Sequence, residues 1–351
     1  MPDLPARPDL DQLRQQATDL LRAARNGDAV AVHRIRAVSE RLILASAQLA
    51  VAREYGFASW ARLKVEVQRR EIFDSGDVSR LQTMLAEQPE LAIQRMEHWC
   101  DHQLGADPLG YLAMLRFDSR RLGLPPDLPG VGAMTRALLD AGAPVDGDAD
   151  ASETPLITAA SYGDAEVVRI LVDAGADLEA TGPATGGTAL HHAAVFGMTD
   201  VVDVLVAVGA TIHDVVKAAA VGDVTGWLGA GTPVGERVAA LRMAAGHERL
   251  AVMDQLLAIG TPVDGLDGAG STALHEAAYH GRPRSVRHLL ARRADPTRRD
   301  TTFGSTPLGW CRHQHECVGE SPGHDEVEAI LGPSNRLTPA RAGDELEQRR
   351  S

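Results

Sequence analysis

The amino-acid sequence predicts an all-α protein built from stacked two-helix repeats, and two observations lead to this prediction. The stretch 153–212 contains an internal repeat in which Gly163 aligns with Gly197 and Gly175 with Gly209, in each case 34 positions later. Within each copy, apolar residues recur at the i, i+3, i+4 spacing of one helix face. Such repeats mark architectures in which each copy buries its apolar face against the next copy.

Each predicted repeat consists of a helix, a turn, a second helix and a loop. In the first copy Leu156, Ala159 and Ala160 share one face of a short helix, and the two small residues allow a neighbouring helix to approach closely. A glycine then interrupts the chain. Residues 165–172 form the second helix, and Gly175 follows its end, where a left-handed backbone conformation is common.

The repeat resembles the ankyrin repeat, whose signature is Thr-Pro-Leu-His-x-Ala at a period of about 33 residues. The signature occurs in part as TPL at 154–156, TALH at 188–191, TALH at 272–275 and TPL at 306–308. This resemblance implies an ankyrin-repeat α-solenoid, in which helix-turn-helix repeats with short hairpin loops stack into one array.

The sequence predicts three segments. Residues 1–70 contain an amphipathic stripe that includes Leu13 and Leu20, and they resemble the helical segment often joined to bacterial ankyrin arrays. This segment is expected to cap the first repeat, or alternatively to bind a partner of its own. Residues 71–332 form the array, with about seven repeats, several of them degenerate. Residues 333–351 are polar and are expected to form a frayed tail.

Four places in the predicted array depart from the pattern. Residues 116–130 are an insertion rich in proline and leucine, which is either functional or tolerated surface. Residues 212–234 form a shortened repeat whose second helix has lost about a turn, so the stack is expected to bend or to carry a notch there. Arg293 replaces a glycine found in other repeats, so this turn is either strained or built differently. Residues 316–326 are an insertion in the last repeat.

Charge and composition disfavour several classes of partner and location. The formal net charge is −13, and the acidic excess follows residue 70, which argues against nucleic acid or an anionic membrane as the partner of the array. The longest apolar run, 42–52, is shorter than the ~20 residues of a membrane-spanning helix. The chain start lacks the features of a signal peptide, and three cysteines without framework spacing favour a reducing compartment. We therefore predict a cytoplasmic protein.

The segment HEAAYH at 275–280 resembles a zinc-protease signature, but its spacing argues against a metal site. The two histidines are five residues apart, about 140° around a helix, and cannot share a metal from one helix. His275 also occupies the histidine position of the repeat, where the resemblance implies a buried imidazole bonded to backbone in the adjacent loop.

Four good zinc ligands lie close together in sequence near the end of the predicted array. They are Cys311, His313, His315 and Cys317. Because they alternate along a predicted helix, at most two can converge on one ion. The sequence therefore predicts no metal, no cofactor and no catalytic residues. The alternative is an enzyme, or a metal-binding or small-ligand-binding protein, that uses residues 116–130 or 311–317.

The resemblance implies a concave groove that binds protein partners through loop tips and the ends of the first helices. The positions that correspond to this groove are Glu153, Ser161, Tyr162, His192, Val195, Phe196, His247, Glu276, Tyr279 and His280. Aromatic residues among polar ones are favoured at interface centres, although they can also be isolated surface residues. Acidic residues around these positions favour a partner with a basic or mixed-charge face. The predicted function is that of a non-catalytic protein-protein interaction scaffold.

Overall fold

The predicted all-α fold is confirmed by the structure, which is a computed structural model. It describes residues 4–5, 7–96, 107–125, 127–148, 151, 153–182, 186–229, 231–319 and 321–332. Within these ranges the chain forms eighteen α-helices, one 3-10 helix and no strand. None of the described helices is long and apolar enough to cross a membrane. The chain divides into unit 1, residues 1–192, and unit 2, residues 193–351.

In chain order, the helices of unit 1 come first, then the helix in which the chain divides, and then those of unit 2. Those of unit 1 are α1 (Leu10–Arg25), α2 (Ala29–Arg36), α3 (Leu44–Glu54), α4 (Trp60–Ser75), α5 (Val78–Glu87), the 3-10 helix (Pro89–Ala92), α6 (Pro108–Leu122), α7 (Val131–Asp140), α8 (Pro155–Tyr162) and α9 (Ala165–Asp173). The division falls within α10 (Ala189–Val195). Those of unit 2 are α11 (Thr199–Ala207), α12 (Val215–Val221), α13 (Val234–Gly246), α14 (Leu250–Ala258), α15 (Ala273–Tyr279), α16 (Pro283–Ala291), α17 (Pro307–Val318) and α18 (Pro322–Leu331).

The predicted helix-turn-helix repeat is present, and its residues explain its boundaries. Thr154 caps α8 by accepting a hydrogen bond from the backbone N–H of Ile157 at 3.2 Å, and Pro155 occupies the first turn, where no backbone donor is needed. Gly163 ends α8 with φ 78°, a left-handed conformation that glycine adopts without steric cost. In unit 1, α6 packs against its second helix α7 and against the next first helix α8. In unit 2, α13 packs in the same way against α14 and α15, and α15 against α16 and α17.

The paired small residues of the first helices are buried, as the sequence pattern requires. They are Ala159 and Ala160 in α8, Ala193 and Ala194 in α10, Ala218 and Ala219 in α12, Ala244 and Ala245 in α13, and Ala277 and Ala278 in α15, all at most 1% exposed. A larger side chain at these positions would separate neighbouring helices, because interiors of proteins are closely packed.

The N-terminal helices α1 to α4 share a hydrophobic core of their own. The predicted stripe of α1 is buried, with Leu13 and Leu20 in a cluster that also contains Ile35, Phe57 and Leu63. Ser59 caps α4, and its hydroxyl accepts a hydrogen bond from the backbone N–H of Arg62 at 3.2 Å. The helix continues through residue 70, so the predicted boundary at 70 lies inside a helix. The proposed division into 1–70, 71–332 and 333–351 remains a prediction, and residues 333–351 lie outside the described part.

A buried arginine that the sequence analysis did not identify joins α4 to the segment after the 3-10 helix. Arg69, 1% exposed, donates to the carbonyl oxygens of Leu91, Gln94 and Arg95 at 3.1, 2.7 and 3.0 Å. It also forms an ion pair with Glu66 at 2.6 Å. These contacts satisfy backbone acceptors and neutralise a charge that would be costly to bury alone.

Two predicted insertions differ from expectation because much of each is helical. Residues 116–122 extend α6, which leaves a connection of 123–130 before α7. In the last repeat, the helices α17 and α18 absorb most of residues 316–326. The shortened repeat departs in the opposite direction: between α12 and α13, residues 222–229 contain turns and no helix. The second helix is therefore absent from this described stretch, where the sequence predicted one shorter by a turn.

Two residues other than glycine adopt a left-handed backbone conformation in the described residues. Arg293 has φ 67°, so the strained alternative predicted for this turn is correct. Glu248 has φ 54° and stands where Gly163 and Gly281 stand in other repeats, a departure that the sequence analysis missed. A left-handed conformation costs roughly 1–2 kcal/mol for a residue with a side chain.

Replacing Arg293 with glycine should stabilise the protein. The Arg293→Gly variant relieves the backbone strain, partly offset by the greater flexibility of glycine in the unfolded chain, so the free energy of unfolding should rise by up to about 1 kcal/mol. Ala291→Gly, in the last turn of α16, is the control and should lower it by about 1 kcal/mol. Chemical denaturation measures both, and equal losses in the two variants would contradict the assignment of strain to Arg293.

Candidate functional site

In unit 2, the C-terminal ends of α10 and α13 are joined by a buried histidine. The Nε2 atom of His247 lies 2.8 Å from the carbonyl oxygen of Ala194, and its Nδ1 atom lies 2.9 Å from the Oγ1 atom of Thr199. Because a carbonyl can only accept, Nε2 carries the proton and Nδ1 accepts from the threonine hydroxyl. His247 is 2% exposed, and both of its nitrogens are engaged within the protein.

The end of α15 joins the same place through an arginine. Arg282 donates to the carbonyl oxygen of Gly246 at 2.8 Å and to that of Gly197 at 2.6 Å, a residue 85 positions earlier. Space is tight there, because a Cβ atom built on Gly197 would lie 2.5 Å from the Nδ1 atom of His280. The ends of α10, α13 and α15 thus meet beside the repeat that lacks its second helix.

A buried carboxylate completes this convergence. Glu276, 4% exposed, accepts from Arg242 at 2.6 Å and lies 3.3 Å from the Nε2 atom of His280. Burial raises the pKa of Glu276, but the hydrogen bond from His280 and the charge of Arg242 outweigh it and lower that pKa below its usual value. We call His247, Glu276, His280 and Arg282 the helix-end cluster.

The helix-end cluster overturns part of the predicted groove. His247 and Glu276 were expected to face a partner, yet both are buried and bonded within the protein. In unit 1 the same is true of His192, which is 6% exposed and lies 3.1 Å from the hydroxyl of Ser161 through Nδ1. The expectation that these three residues are exposed is wrong, because their side chains form hydrogen bonds with residues of other repeats.

Other predicted positions remain accessible. In unit 1, Glu153 and Ser161 are half-buried, and Tyr162 packs its ring 4.6 Å from that of the exposed Phe117. In unit 2, Val195 and Phe196 are exposed. Their role in binding a partner stays a prediction.

An aromatic pocket lies next to the helix-end cluster in unit 2. It has a volume of about 640 Å³ and is lined by Tyr279, Phe303, Ser305, Gly309, Trp310 and His313. Of these residues, Tyr279 belongs to the predicted partner-binding set. Phe303 projects furthest, with 78% of its surface exposed. The pocket therefore combines a concave shape with large apolar side chains, which is typical of binding sites.

Asp300 shapes the wall of the aromatic pocket. Its carboxylate accepts from the backbone N–H groups of Thr302, Phe303 and Ser305, and from the indole N–H of Trp310 at 3.1 Å. Burial raises the pKa of Asp300, but these four donors outweigh burial and lower it to about 2. The sequence analysis missed this residue, although an aspartate opening the polar turn DTTFGS is a typical turn-forming residue.

The histidine position of the repeat behaves as predicted. His275 lies 2.8 Å from the hydroxyl of Thr272 and 3.1 Å from the carbonyl oxygen of Ser305, and it is fully buried. Its ring also lies edge-on to Trp310, at 5.3 Å between centroids. His275 therefore holds the loop that carries one wall of the aromatic pocket.

The four predicted zinc-ligand candidates lie on one helix, as their spacing predicted, and do not converge. Cys311 is buried and lies 3.6 Å from the carbonyl oxygen of His324, and burial raises the pKa of its thiol to about 12. His313 and Cys317 are exposed, and His315 contacts Glu328. The described residues contain no group of three or more His, Cys, Asp or Glu side chains placed to hold a metal ion.

Residues 116–130 are the other candidate for a separate activity. The first of them, Arg116, contacts the neighbouring repeat. Arg116 forms ion pairs with Asp164 and Glu166, at 2.7 and 2.5 Å. Burial lowers the pKa of Arg116, but these two carboxylates outweigh burial and raise it. Arg116 therefore has a structural role.

Comparison with known proteins shows which sequences and structures this chain is similar to. The family model for ankyrin repeats in three copies matches residues 131–216, and the model for a single ankyrin repeat matches residues 269–301. A crystal structure of the human ASB11 ankyrin repeat domain is similar at 21% sequence identity over 78% of this chain and 99% of that one, with a TM-score of 0.39.

Protonation of His247 should make stability depend on pH. Burial, together with the nearby charges of His280, Arg282 and Arg249, lowers the pKa of His247 to about 4 although its hydrogen bond to Ala194 raises it. The unfolded chain, with a histidine pKa near 6.5, binds more protons between pH 6.5 and 4. The stabilising contribution is therefore complete above pH 6.5 and is lost as pH falls towards 4, by on the order of 3 kcal/mol.

The variant His247→Gln keeps a donor for the Ala194 carbonyl and removes the titrating group. Its free energy of unfolding should fall less steeply between pH 6.5 and 4 than that of the wild type, as measured by denaturation at each pH. Some slope remains, because burial also lowers the pKa values of His192, His275 and His324. His33→Gln, at an exposed position, is the control, and an identical slope in both variants would contradict this role of His247.

Proposed function

This chain belongs to the ankyrin-repeat family, and from that premise we propose that it is a non-catalytic scaffold that binds a protein partner through the aromatic pocket. Ankyrin repeats are in general protein-protein interaction modules. The observation that supports this site is the exposure of Phe303 beside Tyr279 and Trp310. Large aromatic side chains in a concave surface are typical centres of protein interfaces.

The pocket is already formed in the free protein, which favours binding. The loop that carries Phe303 is held by hydrogen bonds to Asp300, and His275 bonds the carbonyl of Ser305 in the same loop. Because these contacts fix the loop, a partner loses little affinity to ordering it. Tyr279 connects this site to the predicted set of partner-binding residues.

The remaining features of the proposal follow from charge and from the cysteines. A net charge of −13 favours a partner with a basic or mixed-charge face and disfavours nucleic acid. Val195 and Phe196 in unit 2, and Glu153, Ser161 and Tyr162 in unit 1, are proposed further contacts. Cys311 and Cys317 are free thiols, which agrees with the proposed cytoplasmic location.

Removing the aromatic side chains of the pocket should abolish partner binding without unfolding the protein. In the double variant Tyr279→Ala, Phe303→Ala the pocket loses two of its three rings, and loss of a central interface residue typically costs 2 kcal/mol or more, about a 30-fold loss of affinity. The partner is first identified by affinity capture from the native host, and its affinity for purified variants is then measured by calorimetry.

The matched control is Val208→Ala, Ile259→Ala, which removes two exposed apolar side chains at helix ends in unit 2. It should bind the partner as the wild type does. A photo-crosslinking residue at position 303 should also capture the partner, whereas the same residue at position 259 should not. Equal binding by the pocket variant and the wild type would overturn the proposal.

A further inference from the structure

We propose that the aromatic pocket binds a cationic side chain, a lysine or an arginine presented by a basic segment of the protein partner. This inference rests on the proposed function and adds the chemistry of the group that enters the pocket. It follows from the arrangement of the three rings and from the carboxylate that accepts a hydrogen bond from one of them.

The rings of Tyr279 and Phe303 are both inclined steeply to the ring of Trp310. The ring of Trp310 lies 5.8 Å from that of Tyr279 at an angle of 74°, and 6.4 Å from that of Phe303 at an angle of 67°. All three line the same space. The rings therefore do not stack flat on the indole, and a ring face attracts a cation within about 6 Å of its centre.

Asp300 places a negative charge at the N–H edge of the indole of Trp310. Asp300 is 3% exposed. Its carboxylate accepts hydrogen bonds from uncharged donors, three backbone N–H groups and the indole N–H of Trp310. In the described part of the chain, no Lys, Arg or His lies within ion-pair distance of this carboxylate. A carboxylate that accepts from an indole N–H polarises the ring and makes its face more attractive to a cation.

The two exposed arginines that precede Asp300, Arg298 and Arg299, do not cancel this field. Arg299 donates to the carbonyl oxygen of Gly304 at 2.6 Å and is exposed. Salt and water screen an exposed charge strongly, whereas a buried charge is screened much less. The field at the indole is therefore dominated by Asp300, and it complements a positive group in the pocket.

An apolar or proline-rich segment would contact the same rings, but it would gain nothing from Asp300. The two kinds of occupant can therefore be separated by a pair of probes with the same shape and different charge. Suitable probes are N-acetyl-trimethyllysine amide and its neutral analogue, in which carbon replaces the quaternary nitrogen. The cation should bind at least about five-fold more tightly than the neutral analogue.

Binding of the two probes can be followed by NMR at the indole N–H of Trp310. The chain has four tryptophans, so the signal is assigned by its loss in Trp310→Phe. The cationic probe should shift this signal in a saturable manner at millimolar concentration. Phe303→Leu keeps an apolar side chain without a π face and should weaken the cation several-fold while leaving the neutral analogue unchanged.

The charge of Asp300 is tested by Asp300→Asn, with Asp295→Asn as the control on the same loop. Asp300→Asn should weaken the cation by about three-fold or more, while Asp295→Asn, at an exposed position, should leave it unchanged. If Asp300→Asn lowers the melting temperature, Phe303→Leu still decides the question, because its side chain is exposed.

Equal affinity for the two probes would overturn the inference and would assign the pocket to an apolar side chain. The proposed function would survive that result, provided that the partner still requires Tyr279 and Phe303. Conversely, cation binding together with unimpaired partner binding by the pocket variant would show that the natural partner docks elsewhere.

Discussion

The structure depends on the close approach of helices that cannot bury their own apolar faces. The first helices α8, α10, α12 and α15 have only about two turns, and the paired alanines on them are almost completely buried. An isolated helix of this length is unstable in water, so each one persists only because its neighbour covers it. The polar residues at the helix ends must then find partners in adjacent repeats, because helix ends leave backbone carbonyls unsatisfied.

The helix-end cluster shows what happens where a repeat is incomplete. The stretch after α12 contains turns where other repeats have a second helix, and in the same region His247 and Arg282 bond the carbonyls at the ends of earlier first helices. Two positions of the predicted groove, His247 and Glu276, are buried and engaged in intramolecular bonds. An accessible aromatic surface lies further along unit 2, where Phe303 and Trp310 come from the loop and helix of the last repeat.

The sequence predicted the fold well because the repeat pattern is local. In the repeat that begins at Thr154, a capping threonine, paired alanines and a glycine at fixed spacing specify the helix-turn-helix, and the structure has each of them where the pattern predicts. The histidine of the repeat, His275, was also correctly predicted to bond backbone in the adjacent loop.

The candidate site was predicted less well because it depends on contacts between distant residues. The expectation that the ends of the first helices face a partner drew attention to Tyr279, but it also treated His247 and Glu276 as exposed. It could not anticipate that the ends of α10, α13 and α15 meet beside a repeat without a second helix. Asp300 and Phe303 were overlooked because their roles arise only when the loop folds back against Trp310. Glu248 could have been predicted, because it aligns with glycines of other repeats that have a left-handed backbone. The sequence analysis did not make that alignment at this position.

The bond from Arg282 to the carbonyl of Gly197 has a consequence for the order in which unit 2 folds. In a linear array each layer contacts only the adjacent layers, so folding can begin anywhere and propagate. Here a contact spans 85 residues, and contacts so distant in sequence slow folding because a long chain segment must first be closed into a loop. During synthesis, the carbonyls of Gly197 and Gly246 leave the ribosome before Arg282 does. These two hydrogen bonds therefore form only after the C-terminal half of unit 2 has begun to emerge.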